Sequence, residues 1–219
     1  MGRIRHAGSV AIIGLALGLM SVQGAHAAIV ISDNFSGSTP TLNWPGDSTF
    51  LSIPQPGNVP GSPSVDLVGA SNGYGNLVVG LPPGAHAVDL DGSTTPPSSN
   101  PAGELQSITS LPLGNYTVQF LLAGNLRSAP SETTVVSIGS SSQTLPFVPN
   151  TQPYTLYDLT FTGVSGQVAF TDLGPSDDIG NLLADVVVYT PGPKVGEGLL
   201  GFAAMLALLI GARYRGLFV

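Results

Sequence analysis

Carboxylates are the side chains of this 219-residue sequence that could most readily act in catalysis or bind a metal ion. Between Ala28 and Thr190 the sequence holds twelve of them and a single cation, Arg127, so the formal charge of this stretch is −11. Glycoside hydrolysis needs two carboxylates about 5–10 Å apart, and Asp89, Asp91 and Glu104 are candidates for such a pair, although twelve carboxylates provide pairs by chance. Calcium takes oxygen ligands. Calcium binding is therefore the other function that this acidic, cation-poor stretch favours.

The charge and composition exclude several classes of function. A stretch with a charge of −11 repels nucleic acid and anionic membrane faces, which excludes polyanion binding. Cysteine is absent, so the sequence offers no disulfide, zinc–thiolate site or cysteine nucleophile. Neutral polar ligands remain compatible with the composition.

Sugar binding needs an aromatic ring beside hydrogen-bonding groups, because the C–H faces of sugars pack on rings. Trp44 is the only tryptophan and Tyr74 lies in a glycine-rich loop, and both are candidate rings. Asn125 and Arg127 are the candidate polar partners. The alternative for Trp44 is a place in the hydrophobic core, where single tryptophans are more often found.

Two of the chemical patterns have a simpler structural interpretation. Gly69–Gly73 (GASNG) matches the G-x-S-x-G pattern of serine hydrolases, but the residues that follow predict no helix. The pattern is therefore interpreted as a glycine-rich turn. Arg127, as the single cation, is expected to form an ion pair with Glu132 or Asp178 rather than to contact a ligand.

The first 27 residues predict a cleaved secretory signal. Basic residues precede an apolar run from Val10 to Met20, and Ala25-His26-Ala27 provides the small-residue pattern after which signal peptidase cuts. The apolar run is short for a spanning helix, which needs about 20 residues.

The other end of the chain predicts a membrane segment. Val195–Ala212 is apolar for 18 residues apart from Glu197, and Arg213 and Arg215 follow it. A segment of this length with basic residues behind it is typical of a transmembrane helix whose basic flank stays in the cytoplasm.

This tail resembles the PEP-CTERM sorting segment of bacterial surface proteins, which joins a proline-containing motif, a transmembrane helix and a basic cluster. Pro191-Gly192-Pro193 stands where Pro-Glu-Pro is usual. The resemblance implies that an exosortase, a membrane transpeptidase, removes the tail and passes the body of the protein outward.

Between the two ends, short segments of alternating polar and apolar residues predict strands separated by turns. The clearest are Tyr116–Phe120, Tyr157–Thr162 and Gln167–Thr171, and Leu182–Tyr189, apolar on both faces, predicts a central strand. Further strands are predicted at 28–31, 50–53, 64–68, 76–80, 87–89, 105–109, 133–138 and 143–147. The turn spacing and the period of two favour an all-β fold, a single jelly-roll-like antiparallel β-sandwich flanked by an N-terminal signal helix and a C-terminal transmembrane helix.

The second half of the predicted sandwich has a family resemblance. Gly114–Asn125 (GNYTVQFLLAGN) and Ser176–Val186 (SDDIGNLLADV) resemble segments of the galactose-binding-like β-sandwich of bacterial choice-of-anchor surface proteins. The resemblance runs from His86 onward and implies a module that faces a glycan or an extracellular matrix.

The same resemblance implies one structural calcium ion, because sandwiches of this type often hold calcium where the first strand meets the last. Asp33 follows the first predicted strand, Asp177 and Asp178 precede the last, and Asp185 lies within it. Ala184 stands where an acidic residue is usual. The alternative is that these four aspartates are ordinary turn and strand-edge residues.

The sequence therefore predicts a signal peptide (1–27), a β-sandwich (28–190) and a sorting segment (191–219). We expect a non-catalytic module, anchored in the inner membrane during export and then placed at the surface or in the extracellular matrix of a Gram-negative bacterium, with signal peptidase, an exosortase and extracellular polysaccharide as partners. No nucleic acid is expected. The alternatives are an extracellular polysaccharide hydrolase and a purely structural protein associated with exopolysaccharide.

Overall fold

The computed structural model describes residues 27–53, 65–92, 103–127, 130–174 and 178–192. The predicted signal and transmembrane helices lie outside these ranges, as do Asp177, Pro193, Glu197, Arg213 and Arg215. None of the helices formed by described residues is long and apolar enough to cross a membrane. The described residues belong to one compact unit, His26–Lys194.

Nine strands and two short 3₁₀ helices make up the described chain. The 3₁₀ helices are Ala70–Asn72 and Gly75–Val78. The strands are β1 (Ala28–Asp33), β2 (Phe50–Ile53), β3 (Asp66–Val68), β4 (Ala87–Asp89), β5 (Glu104–Ala123), β6 (Thr134–Ile138), β7 (Ser141–Thr144), β8 (Thr155–Asp172) and β9 (Leu182–Thr190).

All strand pairs are antiparallel, and the hydrogen-bonded strands divide into two layers because the long strands β5 and β8 run through both. The first layer contains β3, β4, β1, β9, the second half of β5 and the first half of β8. The second layer contains β2, the first half of β5, the second half of β8, β6 and β7. Register shifts between Gln106 and Tyr116 mark the point where β5 passes from one layer to the other. The predicted all-β antiparallel sandwich is confirmed.

The main core lies between the two layers. Phe120 of the first layer meets Phe170 of the second edge to face, with ring centroids 5.2 Å apart. Phe50 of β2 also packs on Phe170, at 6.4 Å. The alternation predicted for Tyr116–Phe120 is observed, since Tyr116, Val118 and Phe120 are buried in this core. Each such side chain contributes about 1.5–3 kcal/mol by leaving water.

A second, smaller hydrophobic cluster covers the other side of the first layer. It contains Val68, Leu77, Ala87, Ala123, Leu182 and Ala184. The segment with the two 3₁₀ helices lies over these side chains. This cover explains why β9 is apolar on both faces, as the sequence predicted for a central strand.

One predicted strand is wrong. Residues 76–80 were expected to be extended, but Gly75–Val78 forms a 3₁₀ helix. Gly80 follows it with a φ of +98°, a conformation that favours glycine. The Tyr154 hydroxyl donates a hydrogen bond to the Leu77 carbonyl at 2.7 Å, which fixes the helical turn over the second cluster. Leu77 is therefore buried by a tertiary contact that a period of two cannot reveal.

The sandwich has two ends that differ in the strands, turns and side chains that form them. Ala28 is the register partner of Thr190, so the first and last strands meet at one end, which we call the terminal end. The turns of β5 and β8 near Asn115 and Gly163 also lie there, joined by a hydrogen bond from the Gly163 N–H to Asn115 Oδ1 at 2.9 Å. The opposite end, where β4 finishes and β9 begins, is called the carboxylate end.

Candidate functional site: the carboxylate end

Acidic side chains are buried at the carboxylate end. Asp66 of β3 and Asp89 of β4 are direct register partners and are 3% and 1% exposed. Both lie on the outer face of the first layer, because their neighbours Leu67 and Val88 point into the main core. Burial of two adjacent carboxylates is costly unless they are paired or protonated.

Asp89 is the centre of this network. Its Oδ2 accepts a hydrogen bond from the guanidinium of Arg127 at 2.5 Å, and its Oδ1 accepts one from the Gly180 N–H at 2.7 Å. Burial raises the pKa of Asp89 well above its ordinary value; Arg127 opposes this rise and the neighbouring Asp66 adds to it. Arg127 thus forms an ion pair, as expected, but its partner is Asp89 and not Glu132. Its contact with Asp178 is to the backbone carbonyl, at 3.5 Å.

A turn after β5 positions Arg127. Leu126 has a φ of +54°, and the Asn125 side chain stabilises the turn because its Oδ1 accepts a hydrogen bond from the Arg127 N–H at 2.8 Å. Asn150 donates to the Arg127 carbonyl at 3.2 Å. Asn125 is completely buried. Its role in this structure is therefore to shape the backbone rather than to meet a ligand.

The loop before β9 closes the network. Asp172 Oδ2 accepts a hydrogen bond from the Asn181 N–H at 3.3 Å, and Asn181 Nδ2 donates to Thr134 Oγ1 at 3.0 Å. At Gly180 a Cβ would lie 2.2 Å from the amide nitrogen of Asp91 and 2.9 Å from carboxylate oxygens of Asp89 and Asp172. The close approach of these groups therefore requires glycine at position 180.

This geometry does not suit acid–base hydrolysis. Asp89 and Asp91 are 1% and 2% exposed, so a substrate does not reach them in this structure. Glu104 lies on the outer face of the second layer, where the Thr171 hydroxyl donates to it at 3.2 Å. Glu104 thus lies apart from Asp89 and Asp91, which are hydrogen-bonded to each other through the Asp91 N–H and Asp89 Oδ1 at 3.3 Å.

A surface with two tyrosines lies beside the network. Tyr74, Leu126 and Tyr154 are partly buried against the second cluster, and the Arg127 side chain next to Leu126 is 24% exposed. We call these four residues the tyrosine surface. Burial, with a smaller contribution from Asp89, raises the pKa of Tyr154, so its hydroxyl stays neutral and donates to Leu77.

The structure brings together three of the four residues predicted to contact a glycan. Tyr74 packs against the second cluster, as does Leu126, which lies between Asn125 and Arg127 in the turn after β5. Trp44 lies instead in the main core, 3% exposed and edge to face with Phe35 at 5.9 Å. Tyr154 was missed by the sequence analysis, and no local pattern distinguishes it, since it follows a proline in a connecting segment.

Three of the predicted calcium ligands, Asp33, Asp178 and Asp185, lie in the described part of the chain. Asp33 is the register partner of Val186, the residue after Asp185. The Asp33 carboxylate accepts a hydrogen bond from the Phe35 N–H at 2.7 Å, and burial raises its pKa. Asp185 is exposed in a bulge of β9 and has a φ of +49°. Asp178 lies at the carboxylate end, where its N–H donates to Asp91 at 3.0 Å. In the part of the chain that the structure describes, no three acidic or histidine side chains form a group suited to a metal ion. The calcium ion stays a prediction.

The G-x-S-x-G segment forms the predicted turn. Ala70–Asn72 is a single 3₁₀ turn that ends at Gly73, whose φ is +88°. Asn72 accepts a hydrogen bond from the Gly69 N–H at 3.1 Å and donates one to the Leu67 carbonyl at 2.9 Å. Ser71 is thus exposed in a capped turn, without the strand–turn–helix that a nucleophile elbow requires.

No family model matches this chain, and no curated protein matches it significantly. Several solved structures are similar in part. The K3 cleaved adhesin domain of Lys-gingipain from Porphyromonas gingivalis is 18% identical, with a TM-score of 0.46, over 74% of this chain and 100% of that one.

Carbohydrate-binding modules are also among the similar structures. The family 35 module from Clostridium thermocellum is 13% identical, with a TM-score of 0.34, over 70% of this chain and 100% of that one. The CBM22-1–GH10 modules of xylanase 10B from the same organism, complexed with xylohexaose, are 12% identical, with a TM-score of 0.42, over 76% of this chain and 29% of that one. Identities below 20% with TM-scores below 0.5 carry no function from these proteins to this chain.

Proposed function

We propose that this protein is an exported, non-catalytic β-sandwich module that binds a neutral extracellular polysaccharide through the tyrosine surface. The observation that supports the proposal is that two partly buried rings, Tyr74 and Tyr154, pack on the same hydrophobic cluster as Leu126, the residue before the partly exposed Arg127. Rings held by packing on one side present area to a ligand at a low cost in side-chain entropy.

Charge selects the class of sugar. Arg127 is the only lysine or arginine between Ala28 and Thr190, and its guanidinium is already paired with Asp89. A uronic acid or sulfated sugar would be repelled by a sandwich with a formal charge of −11 that offers no unpaired lysine or arginine. A neutral sugar can contact the rings, the edge of the guanidinium and backbone groups without this repulsion.

A binding role fits the site better than hydrolysis does. Asp89, Asp91 and Asp172 are buried at the carboxylate end, and each accepts a hydrogen bond from a backbone N–H group that fixes a loop, at 2.7, 3.0 and 2.9 Å respectively. Groups engaged in this way stabilise a surface. They are not positioned to donate a proton to a glycosidic oxygen, which requires contact with the substrate.

The chain ends supply the proposed route of export. Signal peptidase would cut after Ala27, and an exosortase would act at Pro191-Gly192-Pro193 with Glu197 nearby, while the segment before Arg213 and Arg215 holds the protein in the inner membrane. The protein would then work at the cell surface or in the extracellular matrix. These steps rest on the sequence, since most of these residues lie outside the described ranges.

The test is a binding measurement with matched variants. Affinity electrophoresis of the purified chain in gels with neutral polysaccharides or with a polyuronate should show retardation by neutral polymers alone. Tyr74→Ala should weaken binding by about tenfold, equivalent to about 1.4 kcal/mol. Tyr189→Ala is the control, because Tyr189 is also half-buried on the first layer but lies at the terminal end.

Three results would contradict the proposal. Retardation by the polyuronate alone would show that charge does not select the ligand. Equal binding by the Tyr74 and Tyr189 variants would place the contact elsewhere. Absence of retardation in every polymer would favour the purely structural alternative.

A further inference from the structure

We infer that the terminal end of the sandwich faces a lipid bilayer and that its exposed apolar side chains rest on the bilayer surface. The inference rests on the membrane segment of the proposed function and is independent of the glycan site.

Both apolar segments of the sequence join the sandwich at the terminal end. The Ala28 N–H donates to Thr190 Oγ1 at 3.3 Å, so the residue after the predicted signal and the last residue of β9 lie side by side. Val195, where the apolar tail starts, is three residues beyond Gly192. Three extended residues span at most about 10 Å. A sandwich tethered so closely keeps its terminal end at the membrane whenever the tail spans it.

The terminal end carries exposed apolar side chains. Leu113 is 77% exposed at the turn of β5, and Ile29 is 66% exposed at the start of β1. At the same end, a recess of about 410 Å³ is lined by Asn115, Thr190, Pro191 and Gly192. Apolar groups gain free energy when they leave water for the boundary between lipid headgroups and acyl chains.

The same end lacks charge. Among the described residues, no charged side chain occurs in the segments that form or approach it, which are 28–32, 110–118, 139–144, 159–171 and 186–192. A charge there would lose hydration at the bilayer surface, which is costly. An uncharged end avoids that cost.

Distance separates the bilayer from the acidic part of the molecule. Eight steps of β9 separate Leu182 from Thr190, and at about 3.3 Å a residue they span about 26 Å. The screening length at physiological ionic strength is about 8 Å. The carboxylates at the far end are therefore screened from an anionic leaflet that would otherwise repel them. This orientation also points the tyrosine surface away from the membrane.

The experiment uses the full chain, which contains no cysteine and accepts a single label without further changes. Leu113→Cys and Leu173→Cys are labelled with an environment-sensitive fluorophore and reconstituted in phosphatidylcholine vesicles that carry a nitroxide at the headgroup. Leu173 is the control, because it is 60% exposed and follows Asp172 at the carboxylate end. We expect the label at position 113 to lose most of its fluorescence and the label at position 173 to lose none.

Other outcomes overturn the inference. Equal quenching at both positions would show that the terminal end has no preference for the bilayer. Quenching at position 113 that disappears when each vesicle holds a single chain would assign this end to a contact between copies. A chain that does not float with the vesicles would refute the orientation together with the membrane segment. Loss of glycan binding with strong quenching at position 113 would refute only the glycan proposal.

Discussion

The two ends of this sandwich are built from the same strands yet have opposite chemistry. Of the charged residues that the structure describes, eight lie at the carboxylate end: Asp66, Asp89, Asp91, Glu104, Arg127, Glu132, Asp172 and Asp178. The terminal end has no described charge and exposes Leu113 and Ile29. This separation is what the two proposals require, a polar ligand at one end and lipid at the other.

The difference follows from the way each end is closed. At the carboxylate end, loops approach so closely that Gly180 lies against three carboxylate-bearing residues, and hydrogen bonds to those carboxylates hold the loops. At the terminal end, β5 and β8 turn from one layer to the other through their own backbones. Gly139 and Gly166 pack there without a side chain, with the Gly139 N–H bonded to the Gln167 carbonyl at 3.0 Å. One end depends on electrostatics and the other on backbone conformation.

The largest loss of stability is expected when Arg127, the one cation at the carboxylate end, is replaced. Arg127→Leu leaves Asp89 buried without its charged partner, which costs about 3–5 kcal/mol of unfolding free energy. Urea unfolding of the purified variant at pH 7 measures the loss. Arg127→Leu combined with Asp89→Asn is the control, because it removes both charges and should recover part of the stability. A double variant no more stable than the single one would show that the charge is not the cause.

The sign of the pH dependence sharpens the same test. Because the pKa of Asp89 is raised, the folded state holds an extra proton between about pH 3.9, the unfolded value, and its own higher pKa, so stability falls as pH rises through this window. Because protonated Asp89 needs no cation, the deficit of Arg127→Leu should be smaller at pH 5 than at pH 8. A deficit that grows toward acid pH would contradict this account.

An intermediate effect is expected from glycine substitutions at the terminal end. Gly163 has a φ of +64°, and a Cβ added there would have no atom within 4 Å, so Gly163→Ala costs only the backbone penalty, about 1–2 kcal/mol. Gly139 has a φ of +56°, and its Cβ would lie 2.1 Å from the Ser165 carbonyl oxygen. Gly139→Ala should therefore lose about 1–3 kcal/mol more, because of overpacking.

Denaturant midpoints of the two alanine variants test this difference directly. Equal losses would mean that the backbones of β6 and β8 separate readily at the terminal end. The close approach seen in the structure would then contribute little to its stability.

The sequence predicted the fold better than the site, for physical reasons. Alternation in β5 and β8 reports burial between two layers, so Tyr116–Phe120 and Tyr157–Thr162 revealed the sandwich. The partner of Arg127 was not predictable, since Asp89 is 38 residues away and reaches it only after β4 joins β9. Tyr154 was missed because its burial depends on a 3₁₀ helix that was expected to be a strand.

Trp44 and the calcium ligands show the limits of local patterns in another way. The sequence around Trp44 is compatible with a core residue and with a sugar-binding platform. Its contact with Phe35 in the main core decides for the core residue. Asp185 lies in the last strand, as predicted, but a bulge turns its side chain outward. A single inserted residue in the register thus changes which face a potential ligand occupies.

The smallest expected effect concerns Leu113. Because it is 77% exposed, Leu113→Asp should change the free energy of unfolding in water by no more than about 0.5 kcal/mol. Leu111, two residues earlier in the same turn, is 3% exposed in the main core, and Leu111→Asp should cost several times more because it buries a charge. Thermal unfolding of both variants makes the comparison. A large loss for Leu113→Asp would show that this side chain packs within the protein, and the apolar surface proposed to rest on lipid would then lose its most exposed member.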